Sequence, residues 1–182
     1  MFFMIQNNTK DTLMIERLYN GYRRLMYQKA YNILGDSHLS EDAVHQSFLK
    51  IMNNLHKIDE NDPPRTRGFL GIICENVAKD IYKKRLSLNI NSEFIEEIPE
   101  DIVSINNDPV DIVIDNESVN RIRETIKNFK PIYRDVLLLK EYHDYTVDEI
   151  AELLDISAHA TKKRLLRARA MLTQSLKKEE VL

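Results

Sequence analysis

Tryptophan is absent from this 182-residue chain, and Cys74 is its one cysteine. A single thiol excludes a disulfide within the chain and points to a reducing, cytoplasmic setting. With only four glycines and five prolines, there is too little punctuation for a many-stranded sheet, and long helices are favoured. No apolar run approaches the roughly 20 residues of a membrane span, so no membrane insertion is expected. Met1–Ile5 is apolar but short, and it lacks the basic start and cleavage site of a signal peptide. His38, His45, His56, His143 and His159 have no metal-ligand spacing with Cys74. Neither a glycine-rich phosphate loop nor a nucleophile motif occurs. The expectation is a non-enzymatic protein with no cofactor and no metal.

What is present is soluble globular composition, 30% charged and 43% hydrophobic. The net charge of −3 conceals a pattern. Residues 1–85 carry 13 Lys or Arg and 10 Asp or Glu; residues 121–182 carry the same numbers. Between them, residues 86–120 carry nine acids and no Lys or Arg. Two mildly basic blocks therefore flank an acidic connector.

Apolar periodicity predicts the helices. Leu18, Tyr22, Leu25, Met26, Ala30, Ile33 and Leu34 recur at steps of three and four, so residues 12–34 read as an amphipathic helix. Gly35-Asp36-Ser37 stops it and supplies the next N-cap. A second helix carries Val44, Phe48, Ile51 and Leu55 on one face. Residues 57–67, with Asp59, Asn61, Asp62, Pro63 and Pro64, read as a loop. A third helix, from about Thr66 to Arg85, turns Phe69, Ile72, Ile73, Val77 and Ile81 inward. Cys74 sits in its apolar part, which favours a core thiol over a redox sensor. Helices resume near Asn116 with Val119, Ile122, Ile126 and Phe129, and Pro131 suits the first turn of the next. His143–Tyr145 reads as a turn.

The most specific motif spans residues 146–172. Thr146-Val147-Asp148-Glu149 has the form of a capping box. Ile150, Leu153 and Leu154 give a short apolar face, and Asp155-Ile156-Ser157 a tight turn. A second helix carries Thr161, Leu165, Ala168 and Leu172 inward and Lys162, Lys163, Arg164, Arg167 and Arg169 elsewhere. No acid occurs between Ile156 and Lys178. A short capped helix, a tight turn and a longer basic helix form a DNA-reading helix-turn-helix. A basic, solvated helix in an ordinary bundle is the alternative.

Two groups of segments resemble the sigma factors of bacterial RNA polymerase, specifically the extracytoplasmic-function (ECF) group of the sigma-70 family. Tyr133–Leu139, Thr146–Leu154 and Lys162–Leu172 are similar to region 4. Ala30–Asp36 and Ser40–Lys50 are similar to regions 2.1 and 2.2, and Arg67–Asp80 with Lys83–Arg85 to regions 2.3 and 2.4. The segments follow in the family's order, in two blocks within residues 30–85 and 133–172. The resemblance implies an all-α chain of two small helical domains. Residues 1–86 would bind core polymerase and the −10 element, residues 87–116 would form an acidic flexible linker, and residues 117–182 would carry the helix-turn-helix and bind the −35 element. It implies core RNA polymerase and promoter DNA as partners, with an anti-sigma factor as a further one.

By the same resemblance, Asp42, Gln46 and Leu49 form a strip that docks on core polymerase. Arg65, Arg67, Asn76, Lys79, Asp80, Lys83 and Arg85 serve the −10 element, where a flipped base needs a pocket and cations nearby. For Asn76 and Asp80 the alternative is a plain surface or intrahelical polar role, and the resemblance favours the functional one. His159, Lys162, Lys163, Arg164 and Arg167 serve the −35 element. The acidic linker suits basic nucleic-acid channels of the polymerase. The chain departs from the family in three places. Asp155 stands where a turn glycine is usual, and Asp tolerates left-handed backbone better than most residues. Ala160-Thr161 replaces a Thr-Val pair, which places a hydroxyl inward. A tryptophan usual near Phe69 is missing, leaving base stacking to Phe69 or Tyr82. Rival readings are a helix-turn-helix repressor that never binds polymerase, and an interaction adaptor that no longer binds DNA.

Overall fold

A computed structural model of the chain describes residues 9–89 and 117–179. The connector from residue 90 to 116 lies outside the described residues. Among the described residues every regular element is helical, as expected of an all-α chain. In order they are α1 (Thr9–Leu34), α2 (Ser37–Met52), a single 3-10 turn (Leu55–Lys57), α3 (Pro63–Asn89), α4 (Glu117–Lys127), α5 (Pro131–Glu141), α6 (Val147–Leu153) and α7 (Ala158–Glu179). They divide into two compact units. The first holds residues 9–58 and 70–89, the second residues 59–69 and 117–179.

In the first unit, α1 ends where Gly35 adopts φ +62°, its amide donating to the Tyr31 carbonyl at 2.8 Å. That left-handed cap is the position at which glycine is favoured. Asp36 then caps α2 by accepting from the Leu39 amide at 3.0 Å, and this bond holds the Asp36 carboxyl below its ordinary pKa. On α2 the buried face is Ser40, Ala43, Val44, Ser47, Phe48 and Ile51. Ser40, Ala43 and Ser47 are small and fully buried, so α2 can lie close to its neighbours. The Ser47 hydroxyl is satisfied by the Ala43 carbonyl at 2.6 Å.

Helix α3 begins at Pro63, three residues earlier than Thr66–Arg85 periodicity suggests, because Pro63 and Pro64 open the helix instead of breaking it. The first helical amides have no intrahelical partner, so proline loses nothing there. Asp62 caps the turn through the Arg65 amide at 3.0 Å. Leu70, Ile72, Ile73, Val77 and Ala78 face the core. Cys74 is completely buried, its thiol donating to the Met26 carbonyl, and burial pushes its pKa up to about 12. It is a core residue, since a thiol that stays protonated is not reactive. Lys29 of α1, only 9% exposed, pairs with Glu75 of α3, and Lys79 approaches the other carboxylate oxygen at 3.9 Å.

In the second unit, Pro131 opens α5 and the chain leaves it through Tyr142 and His143. Asp144 turns left-handed at φ 58°. Tyr145 is buried, its ring stacked on Phe69 with centroids 5.3 Å apart and planes 10° from parallel. His143 lies against Phe69 and Tyr142, and burial lowers its pKa to about 4. Ile126, Phe129, Val136, Leu137, Leu139, Ile150, Leu153, Leu154, Leu165 and Ala168 complete this core.

Candidate nucleic-acid interface

The geometry of a helix-turn-helix is set by its two caps and the turn between them. Thr146 accepts the Glu149 amide, and the Glu149 carboxylate accepts the Thr146 amide at 2.7 Å, so both halves of the capping box are formed. The seven-residue α6 is too short to be stable alone and depends on this cap and on burying Ile150 and Leu153. Asp155 takes φ 51°, the left-handed turn that an aspartate tolerates. Ser157 caps α7 by accepting the Ala160 amide at 3.1 Å. Thr161 is fully buried, yet its hydroxyl donates to the Ser157 carbonyl at 3.2 Å. The inward hydroxyl is therefore satisfied, and the departure at this position leaves no unpaired donor in the core.

From this platform α7 presents its outer side. Thr161, Leu165 and Ala168 are buried, and His159, Lys163, Leu166 and Ala170 run along the opposite ridge at steps of four, three and four. Lys162 and Arg167 flank that ridge and are exposed, while Arg164 is half-buried. Two arginines are already engaged. The Arg167 guanidinium lies 5.6 Å from the centre of the Tyr133 ring, and Arg169 makes two bonds to Glu141, at 3.0 and 2.6 Å. Leu166 is 73% exposed, more than any other large apolar side chain among the described residues. Charge alone drew attention to the basic residues and passed over it.

On α2, Asp42, Gln46 and Leu49 are all exposed, on the ridge opposite the buried Ser40, Val44, Ser47 and Ile51. Leu49 is 64% exposed. The fold has little need of any of the three.

The seven residues expected at the −10 element all lie on α3 but do not share one face. Asn76, Lys79, Asp80 and Lys83 follow at steps of three, one and three, and Arg85 points half a turn away from Asn76. Arg67, Lys83 and Arg85 are exposed. Asn76 is half-buried and donates to the Ile72 carbonyl at 2.9 Å. The Lys79 side chain is only 13% exposed and turned toward Glu75. Arg65 binds Asp144 at 3.1 Å and lies 5.3 Å from the Tyr142 ring centre. Phe69 is 2% exposed under Tyr145, so it presents no stacking surface; Tyr82 is half-buried.

Among the described residues no helix is long and apolar enough to cross a membrane. No group of His, Cys, Asp and Glu among them is placed to hold a metal ion.

Two family models match the chain: Sigma-70 region 2 over residues 18–87, and Sigma-70, region 4 over residues 120–172. The chain is 29% identical over 161 residues to the ECF RNA polymerase sigma factor SigW of Bacillus subtilis (strain 168), covering 86% of this chain and 85% of that protein. It is 26% identical over 163 residues to the RNA polymerase sigma factor SigZ of the same organism, covering 89% and 86%. A solved structure, the sigma factor RpoE in complex with the anti-sigma factor NepR from Bartonella quintana, matches at 15% identity with a TM-score of 0.40, over 89% of this chain and 96% of that one.

Proposed function

The chain belongs to the sigma-70 family of RNA polymerase sigma factors, in its ECF group, and from that premise we propose how its surfaces divide the work of binding core polymerase and directing promoter-specific initiation. Residues 1–86 take the core-polymerase and −10 duties, residues 87–116 serve as an acidic link, and residues 117–182 take the −35 duty. Asp42, Gln46 and Leu49 dock on core polymerase. They are exposed and opposite the packed face of α2, so a partner can cover them without disturbing the fold.

At the −10 element, Arg67, Lys83 and Arg85 are the cations best placed to meet phosphate, because they are exposed. Arg65, Asn76, Lys79 and Asp80 act behind them, and Arg65 must leave Asp144 to reach DNA. At the −35 element, His159, Lys162, Lys163 and Arg164 read or anchor the major groove from the first turns of α7. Arg167, held over Tyr133, is a phosphate anchor whose orientation is set before DNA arrives. The protein works in the cytoplasm as an adaptor, without catalytic chemistry of its own, and an anti-sigma factor is its further protein partner.

The observation that carries this reading is the capped helix-turn-helix, whose outer side bears Lys162, Lys163 and Arg167 and no acid, lying downstream of a region 2 match in the family's order. The test is transcription of genomic DNA by core polymerase with and without the protein. Start sites that share a −35 element and require the protein support the division. A protein that binds DNA tightly alone and never co-purifies with core polymerase belongs to the repressor reading instead.

A further inference from the structure

We propose that Leu166 is a sequence-reading residue of α7 that contacts the 5-methyl group of a thymine in the −35 element. The inference rests on the assignment of α7 to −35 recognition and names a determinant that charge does not reveal. Leu166 is the most exposed large apolar side chain described, at 73%. It stands on the ridge opposite the core-facing Thr161, Leu165 and Ala168, so folding does not explain it. Its neighbours one turn back are Lys162 and Lys163, and Arg167 follows it. An apolar side chain ringed by cations fits an apolar spot ringed by anions. The major groove offers that arrangement, since thymine displays its methyl group on a floor walled by phosphates. Ala170, one turn further on the same ridge, is small and lets the helix approach closely.

The expected effect follows from removing about one methyl group from water, about fourfold in affinity. The experiment uses holoenzyme assembled from core polymerase and the full-length protein. The probe is a promoter selected by that holoenzyme in run-off transcription, with each −35 thymine replaced in turn by deoxyuridine. Uracil keeps every hydrogen-bonding group of thymine and lacks only the methyl. The expected result is about a fourfold loss at one position for the wild type. Leu166→Ala should bind the thymine probe several-fold more weakly and lose its sensitivity to uracil at that position, while Leu166→Met should keep both. Helix content by circular dichroism should be equal in all three. Uracil sensitivity that is absent from the wild type, or unchanged in Leu166→Ala, overturns the proposal, as does a −35 element with no thymine on either strand. Randomising the −35 element separates the two levels. If binding survives randomisation, the assignment of α7 itself fails. If binding is lost on randomisation but no uracil effect appears, only the role of Leu166 fails.

Discussion

Replacing Glu75 with leucine should loosen the first unit far more than its half-buried position suggests. Glu75 is 14% exposed and faces the Lys29 ammonium, 9% exposed, and the Lys79 ammonium, 13% exposed at 3.9 Å. The substitution takes one carboxylate away from two shielded cations. Removing one partner of a buried ion pair costs about 3–5 kcal/mol, because a desolvated charge is left behind. The partial exposure here favours the lower end, about 3 kcal/mol. Lys29→Met combined with Glu75→Leu should recover the Lys29 share of that loss and leave the Lys79 share, since replacing both partners of a pair with apolar groups of similar size is often neutral. Hydrogen exchange in the full-length protein is the assay, because it reports α1 and α3 separately from the second unit. Protection in both helices should fall in Glu75→Leu and return in part in the double variant. A single variant within about 1 kcal/mol of wild type, or a double variant no better than the single, would refute the reasoning.

Three further outcomes are expected. His143 has its pKa lowered from 6.5 to about 4, chiefly by burial. The unfolded chain takes up a proton there as pH falls below 6.5 while the folded chain resists, so stability present above pH 6.5 is lost progressively down to about pH 4, by at most about 3 kcal/mol. Urea midpoints across this window should fall more steeply for wild type than for His143→Gln; equal slopes would count against the buried neutral imidazole. Thr146→Ala removes the α6 cap and should cost about 1 kcal/mol, read as a lower urea midpoint together with weaker −35 dependence. Asp42→Lys with Gln46→Ala should weaken binding to core polymerase in a pull-down while leaving the thermal transition unchanged, and normal binding would remove this strip from the account.

Local features were legible in the sequence wherever the cause is local. Gly35, Pro131, Thr146 with Glu149, and Asp155 each act through their own turn of backbone, and the structure has each in the expected role. The stripes of α1, α2 and α7 were legible because burial repeats with the helix period. The start of α3 was misread because Pro63-Pro64 marks a loop and a helix N-terminus equally well. What stayed hidden depends on partners far along the chain. Lys79 turns toward Glu75, one turn away on α3, and Glu75 is itself paired with Lys29, 46 residues earlier. Phe69 is withdrawn from stacking on a base because Tyr145 covers it. Arg167 and Arg169 look alike in the sequence, yet one lies over Tyr133 and the other is clamped by Glu141. Leu166 was passed over because a single leucine on a basic helix looks like core until exposure is known.

The central claim is that one chain carries both a polymerase-docking surface and a promoter-reading helix. Start-site sequencing of genomic DNA transcribed by core polymerase tests it most directly, with wild-type protein, the Asp42→Lys/Gln46→Ala variant and a Lys163→Ala variant run side by side. The account predicts a protein-dependent set of start sites sharing a −35 element, lost in the docking variant, and weakened or shifted in −35 sequence with Lys163→Ala. An unchanged set of start sites with and without the protein would contradict it.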